Sequence, residues 1–246
     1  MEKLDWQFLP MNKTRGKLIA VEGIDGSGKH TQVELLSNAL RQRGYAVHKT
    51  GFPKYESFFG KMIGQFLDGK LGDLESVDPR FAALLYAGDR LEAKPELDAA
   101  LHNGEIVIAD RYVASNLAHQ GARCPKEKRE EFIAWVRHLE YEIYGLPKEN
   151  LVIYLRLSPM QSQKMVLQKA ARNYTAATHD LLESNLLHLE GAAEVFDSLA
   201  KHAPWTTIQC FDSLRDDMRT PDAISAEILS AVECVLSQVH AKPGAH

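Results

Sequence analysis

The sequence predicts an α/β fold in three layers, a five-stranded parallel sheet flanked by helices, and three observations predict it. Short apolar runs alternate with longer stretches of helical periodicity from residue 17 to about 240. Strands that alternate with helices along the chain build a parallel sheet covered on both faces. The runs are apolar throughout rather than every second residue, as strands buried on both sides are. The first three end at Gly23, at Gly51-Phe52-Pro53 and at Asp110-Arg111. In open parallel sheets, ligands bind beyond such carboxyl ends.

Residues 17–22 form the first strand, and its run stops at glycine. A helix follows in which Val33, Leu35, Leu36, Ala39 and Leu40 recur at helical spacing, closed by Gly44. Residues 45–50 read as the second strand. Helical patterns fill residues 58–67 and 80–102, and residues 105–109 read as the third strand. Helices are expected over residues 114–120 and 126–144, with the fourth strand at 151–157 and the fifth at 205–211. Between these two strands lie a helix from Pro159, a polar stretch over 172–179 and a helix over 181–201. A last helix runs from Pro221 to about Val239. The reading is one domain over residues 17–240 with a small lid near 164–183, preceded by an extension, 1–16, and followed by a tail, 241–246.

With 246 residues and 45% hydrophobic content, the chain supports one substantial core. Its net charge of −4 argues against a nucleic-acid polymer as partner. Cys124, Cys210 and Cys234 show neither metal-ligand spacing nor a disulfide framework, which fits a reducing compartment. No run nears the roughly 18 apolar residues of a membrane span, and the first 17 residues lack a signal peptide's apolar core. A cytoplasmic protein with no membrane partner is expected.

Gly23-Ile24-Asp25-Gly26-Ser27-Gly28-Lys29 stands between a strand and a helix, the setting in which this spacing cradles phosphate. Glycines let backbone N–H groups curl around an anion, and the helix turns its positive end toward it. Lys29 then reaches the terminal phosphates as a point charge. The fold class is therefore that of the P-loop NTPases, with a nucleoside triphosphate held by residues 23–31. One position departs from the pattern. His30 stands where a Ser or Thr hydroxyl holds Mg²⁺, and Thr31 is rotated about 100° further round the helix. Either water and carboxylates hold the metal, or metal handling is weakened.

Moving a phosphoryl group to an anionic acceptor would need a second anion site facing the first. Arg90 and Arg111 suit it, because a planar fork matches phosphate better than an ammonium does. The competing readings are a salt bridge of Arg111 with Asp110, and pairing of Arg90 with Asp89 or Glu92. Tyr86 lies four residues before Arg90 and shares a helix face with it, and a place in the core is one reading of it.

These residues resemble a family, the thymidylate kinases. The match runs through Glu22 to Gln32, Phe52-Pro53, Ala87-Gly88-Asp89-Arg90, the stretch from Asp110 to Gln120, and Asp180-x-x-Glu183. The resemblance implies the reaction ATP + dTMP → ADP + dTDP with Mg²⁺. It implies catalytic roles for Lys29, Arg111, Asp25 and a lid cation. Gly26 occupies the place where some relatives carry a loop arginine, so the cation would come from Lys164, Lys169 or Arg172, of which Arg172 is chosen. Substrate contacts implied are Asp25, Phe52, Pro53, Tyr86, Arg90, Arg111, Tyr112, Asn116, His119 and Gln120. Tyr86 would stack on thymine, and Asn116 would donate to and accept from its N3 and O4 edge. His119 replaces the usual tyrosine near the sugar, and Asp25 would meet the 3′-hydroxyl, a metal-bound water, or both. Tyr55 stands where many relatives have an arginine. Asp25 and Glu183 are the metal candidates. A homodimer is implied, with Phe81, Leu84 and Leu85 contributing to it or to the core. A kinase for another nucleotide or deoxynucleoside stays open, as does a nucleotide-binding regulatory protein that has lost catalysis.

Overall fold

The computed structural model describes residues 15–72, 76–172 (backbone alone from 167) and 186–237. The chain lays down β1 (Lys17–Glu22), α1 (Lys29–Gln42), β2 (Val47–Gly51), α2 (Phe58–Leu67), α3 (Pro79–His102), β3 (Ile106–Asp110) and α4 (Val113–Gly121). Then come α5 (Arg129–Arg137), β4 (Leu151–Arg156), α6 (Pro159–Arg172), α7 (Leu186–Leu199), β5 (Trp205–Gln209) and α8 (Pro221–Ser237). A two-stranded hairpin, β6 (Phe211–Asp212) and β7 (Asp217–Met218), links β5 to α8.

The five long strands form one sheet in the order β2-β3-β1-β4-β5, all pairs parallel. Alternation along β1 explains the three layers. Leu18 and Ala20 pack into a core with residues of α3, α4, α5 and α7, whereas Ile19 and Val21 pack with Val33, Leu36 and Leu40 of α1 and Ile228 of α8. A smaller cluster joins α2 to α3 through Ile63, Phe66, Ala82 and Leu85. The β1 crossover leaves toward β2, and the β3 crossover leaves toward β4. Their adjacent carboxyl ends therefore open a crevice at the middle of the sheet.

Several expected elements change at their edges. The second strand pairs over Val47–Gly51 because its register follows β3, from Val47 opposite Ile106 to Gly51 opposite Asp110. The single helix expected over 126–144 is a 3₁₀ turn (Lys126–Lys128), α5, and a wider-wound turn (His138–Ile143). The fifth strand ends at Gln209, and the hairpin after it has strands of only two residues, too short to leave a periodic signal. Of the expected lid, residues 173–183 lie outside the described residues, as do the tail and all of the extension but residues 15 and 16. Among the described residues, no helix is long and apolar enough to cross a membrane.

Candidate active site

The phosphate loop leaves β1 at Glu22 and enters α1 at Lys29, with Gly28 as the helix N-cap. Gly26 and Gly28 have φ of 74° and 89°, backbone that side chains with a Cβ rarely adopt. At Gly26 the space is closed as well. A Cβ there would lie 2.9 Å from the Ser162 carbonyl oxygen, and the Ser162 hydroxyl donates to the Asp25 carbonyl. The first turns of α6 thus cover the place where a loop arginine would project.

Lys29 is buried, and its Nζ donates to the carbonyls of Gly23 and Ile24 at 3.0 Å each. Burial and then repulsion from Arg111 push its ammonium down to about 8, against the pull of Asp25, Asp110 and Glu22. His30 and Thr31 are exposed on the first turn of α1. The His30 imidazole lies 3.7 Å from the Asp110 carboxylate.

Glu22 ends β1 fully buried and organises the segment that leaves β3. Its carboxylate accepts from the Tyr112 N–H (2.7 Å), the Ser115 N–H (3.2 Å) and the Ser115 hydroxyl (2.6 Å). It therefore caps α4, whose first N–H groups have no partners within the helix. Burial raises the Glu22 pKa despite the Ser115 hydrogen bond and the Arg111 charge. Just before the capped end, Arg111 sits at φ 65°, a strained conformation for a non-glycine residue and one found preferentially at functional sites.

The Arg111 guanidinium is aimed back at the loop. Nη2 donates to the Asp25 carboxylate, and Nη1 lies 3.2 Å from Ser115 Oγ and 3.1 Å from His119 Nε2. The expected competing partner, Asp110, is next to His30 instead. Burial alone would raise the Asp25 pKa, but Arg111 and then Lys29 hold it below the usual carboxylate range.

Beside this group a partly open cleft faces the phosphate loop. Its wall gathers Asp25, Phe52, Pro53, Tyr86, Arg90, Arg111, Asn116, His119 and Gln120 from the loop, the end of β2, α3 and α4, and adds Tyr55, Leu67 and Ser115. Tyr112 is not among them. It is wholly buried in the core and its hydroxyl donates to the Pro147 carbonyl, which corrects its expected substrate contact.

Arg90 also differs from expectation. Its Nε and Nη2 donate to the two Glu140 oxygens at 2.5 and 2.7 Å, and both side chains are almost fully buried. Asp89 and Glu92, the expected alternatives, face elsewhere. Asp89 accepts from the Lys54 N–H and the Ser57 hydroxyl, and Glu92 from the Phe59 N–H. Glu140 thus holds the Nε and Nη2 of Arg90 inside the protein, and Arg90 meets the cleft as part of this buried pair.

Asn116 belongs to the same network. Its Nδ2 donates to Glu140 (2.8 Å) and to the Ala83 carbonyl (3.1 Å), while its Oδ1 is buried with no partner among the described residues. The expected donor role is therefore taken within the protein, and the acceptor stays open. Gln120 is the complement: its Oε1 accepts from Arg123 at 2.7 Å and its Nε2 has no partner among the described residues.

Glu22, Ser115 and Glu140 are functional residues to which the sequence alone assigns no role. Ser115 sits inside the Asp110–Gln120 stretch and Glu22 ends an apolar strand, so both left a local signal. Glu140 left none, since it meets Arg90 only through the packing of a distant segment. Among the described residues no group of three or more His, Cys, Asp or Glu could hold a metal ion. Glu183 and the side chains of Lys169 and Arg172 lie outside the described residues, and Lys164 is exposed on α6.

Residues 21–216 match the family model described as thymidylate kinase. The thymidylate kinase of Mycobacterium tuberculosis is 39% identical over 142 residues, covering 57% of this chain and 66% of that protein, slightly under two thirds of its length. A probable thymidylate kinase of Pyrobaculum aerophilum is 30% identical over 220 residues, covering 89% of this chain and 97% of that protein. The solved thymidylate kinase of Candida albicans shares the fold at a TM-score of 0.67 and 22% identity, covering 89% of this chain and 92% of that one. A chain with this loop, this sheet and a family match across most of its length belongs to the thymidylate kinase family.

Proposed function

We propose that this chain transfers the γ-phosphate of ATP to dTMP, giving dTDP and ADP. The observation that carries the proposal is a pair of buried polar atoms on two residues of the cleft wall, the acceptor Asn116 Oδ1 and the donor Gln120 Nε2, which have no partner among the described residues. Thymine offers N3–H as a donor and O4 as an acceptor, and so satisfies both. Cytosine turns an N3 lone pair toward the Asn116 oxygen and leaves it unpaired. Tyr86 and Phe52 supply apolar lining for the base, and Arg111 supplies positive charge for the monophosphate. Lys29 and the loop N–H groups hold the donor phosphates, so that the two substrates meet in line.

The residues present fit Mg²⁺. Asp25 and Asp110 offer hard carboxylates beside the loop, and Mg²⁺ characteristically takes one or two of these along with waters and substrate phosphates. When bound it would neutralise phosphate charge. His30 is a softer donor, is exposed and faces Asp110, so it is assigned no metal. The transferring cation is assigned to α6, with Arg172 as the choice, because α6 already covers Gly26. A homodimer through α3 is supported by exposed Phe81 and Leu84, whereas Leu85 belongs to the α2–α3 core. Cys124 and Cys210, which take part in no disulfide, support a cytoplasmic setting.

A panel of nucleoside monophosphates with coupled ADP detection tests the substrate. We expect kcat/KM for dTMP to exceed that for dCMP by about tenfold or more, from one buried unpaired acceptor. A faster rate with another monophosphate overturns the dTMP assignment and leaves phosphoryl transfer standing. His30→Thr is expected to change kcat by less than about threefold across a Mg²⁺ titration, since an exposed side chain outside the loop's interior contributes little. A wild type that binds nucleotide without turnover, activated by this substitution, favours the regulatory reading instead.

A further inference from the structure

Behind Arg111 lies an imidazole that the proposed phosphoryl transfer does not use. His119 on α4 lines the cleft, and His188 in the first turn of α7 lies against it with the ring centroids 5.5 Å apart and the planes 20° from parallel. Both side chains are buried, at 8% and 7% exposure. His119 Nε2 is 3.1 Å from Arg111 Nη1, and His119 Nδ1 is 3.3 Å from His188 Nε2.

Only one proton arrangement satisfies this chain. A guanidinium donates and never accepts, so His119 Nε2 must present its lone pair to Arg111. The His119 proton then sits on Nδ1 and is donated to His188 Nε2, which places the His188 proton on its own Nδ1. Both rings are neutral in this arrangement. Their surroundings agree with it. For His119, burial and then Arg111 disfavour the cation, with His188 and Lys29 adding to them and Asp25 opposing. For His188, burial and then Arg123 lower the pKa to about 4, again against Asp25. The edge of His119 is closed by the Phe196 ring at 6.1 Å.

We propose that His188 is a positioning residue: by accepting from His119 Nδ1 it fixes the tautomer whose Nε2 lone pair aims Arg111 at the acceptor phosphate. With the proton on Nε2 instead, two N–H groups would face each other and Arg111 would lose that restraint. His188 reaches the chemistry through His119 and Arg111 and touches no substrate atom itself. The proposal rests on the reading of Arg111 as the ligand of the monophosphate.

Two variants and one spectrum test it. His188→Phe keeps a ring and removes the acceptor, whereas His188→Gln places an amide oxygen where Nε2 was. We expect His188→Phe to raise KM for dTMP about tenfold, the scale of one lost hydrogen bond, with KM for ATP within about twofold. His188→Gln is expected to bring KM for dTMP back within about threefold of wild type. Imidazole ¹⁵N shifts of the wild type at pH 7 should show His119 neutral and protonated on Nδ1, a signature that packing alone does not set. Equal behaviour of the two variants, or a His119 that is cationic or protonated on Nε2, overturns the positioning role while dTMP turnover by the wild type stands. A wild type that leaves dTMP untouched overturns the reading beneath it, and the positioning role with it.

Discussion

Lys29→Ala is expected to lower kcat for phosphoryl transfer by about 10²–10³-fold, the usual effect of removing one preorganised charge from a transferring centre. The residue sits at the centre of the loop, with Nζ on the Gly23 and Ile24 carbonyls, where no other cation of α1 reaches. Binding of dTMP, measured by calorimetry, should stay within about threefold, because Lys29 does not line the cleft that takes it. Arginine is not expected to rescue, since a planar fork cannot replace a compact ammonium folded between two carbonyls. The lowered pKa adds a pH test with a definite sign. Burial and Arg111 bring the ammonium down to about 8, so the charge is complete below that pH and is lost as pH rises through it. Affinity for the triphosphate should therefore weaken above pH 8 in the wild type. Retention of more than about a tenth of wild-type kcat in Lys29→Ala would remove the lysine from the centre of the mechanism.

Glu140→Ala carries the largest expected effect on stability, about 3–5 kcal/mol, the cost of leaving a buried charge without its partner. The Arg90 and Glu140 side chains are 2% and 0% exposed, and Asn116 Nδ2 loses an acceptor in the same variant. At roughly 2–4 °C per kcal/mol for a domain of this size, thermal unfolding should shift down by about 6–20 °C. A double substitution, Arg90→Met with Glu140→Leu, is expected to regain part of this loss, because apolar side chains of similar volume often substitute for a buried ion pair without cost. Its affinity for dTMP should not return, since the cleft still lacks the network that orients Asn116. A Glu140→Ala melting point within about 2 °C of wild type would show the pair contributes little. Recovery of dTMP affinity in the double variant would show the network is structural only.

The expected and observed sites differ most where a side chain's partner is far away in the chain. Asn116 stands in a stretch whose spacing marks it for the base, yet the use of both its N–H groups by Ala83 and Glu140 turns it from a two-way contact into an acceptor. Tyr112 follows the arginine of the same stretch, but the turn at Arg111, with φ 65°, breaks the alternation of β3 and sets Tyr112 in the core that holds Val107 and Ala109. His119 is read as a replacement near a sugar; its partner His188 lies 69 residues on, in a helix whose approach to α4 no local pattern announces.

Features legible in the chain alone are local. Apolar runs closed by glycine placed β1, the loop and α1, and the motifs after β1, β2 and β3, with Tyr86 and Arg90 on α3, marked nine of the twelve wall residues of the cleft. They can be read because period, chirality and the steric freedom of glycine act within a few residues. The partners came from tertiary packing: Arg90 with Glu140 across 50 residues, Arg111 with Asp25 across 86, and Glu22 with the start of α4 across 90 and 93. A charged group's partner depends on which strands and helices become neighbours, and it decides whether that group stands open to a ligand or is neutralised within the fold. The order β2-β3-β1-β4-β5 brings the ends of β1 and β3 side by side, and that adjacency joins the phosphate loop to Arg111.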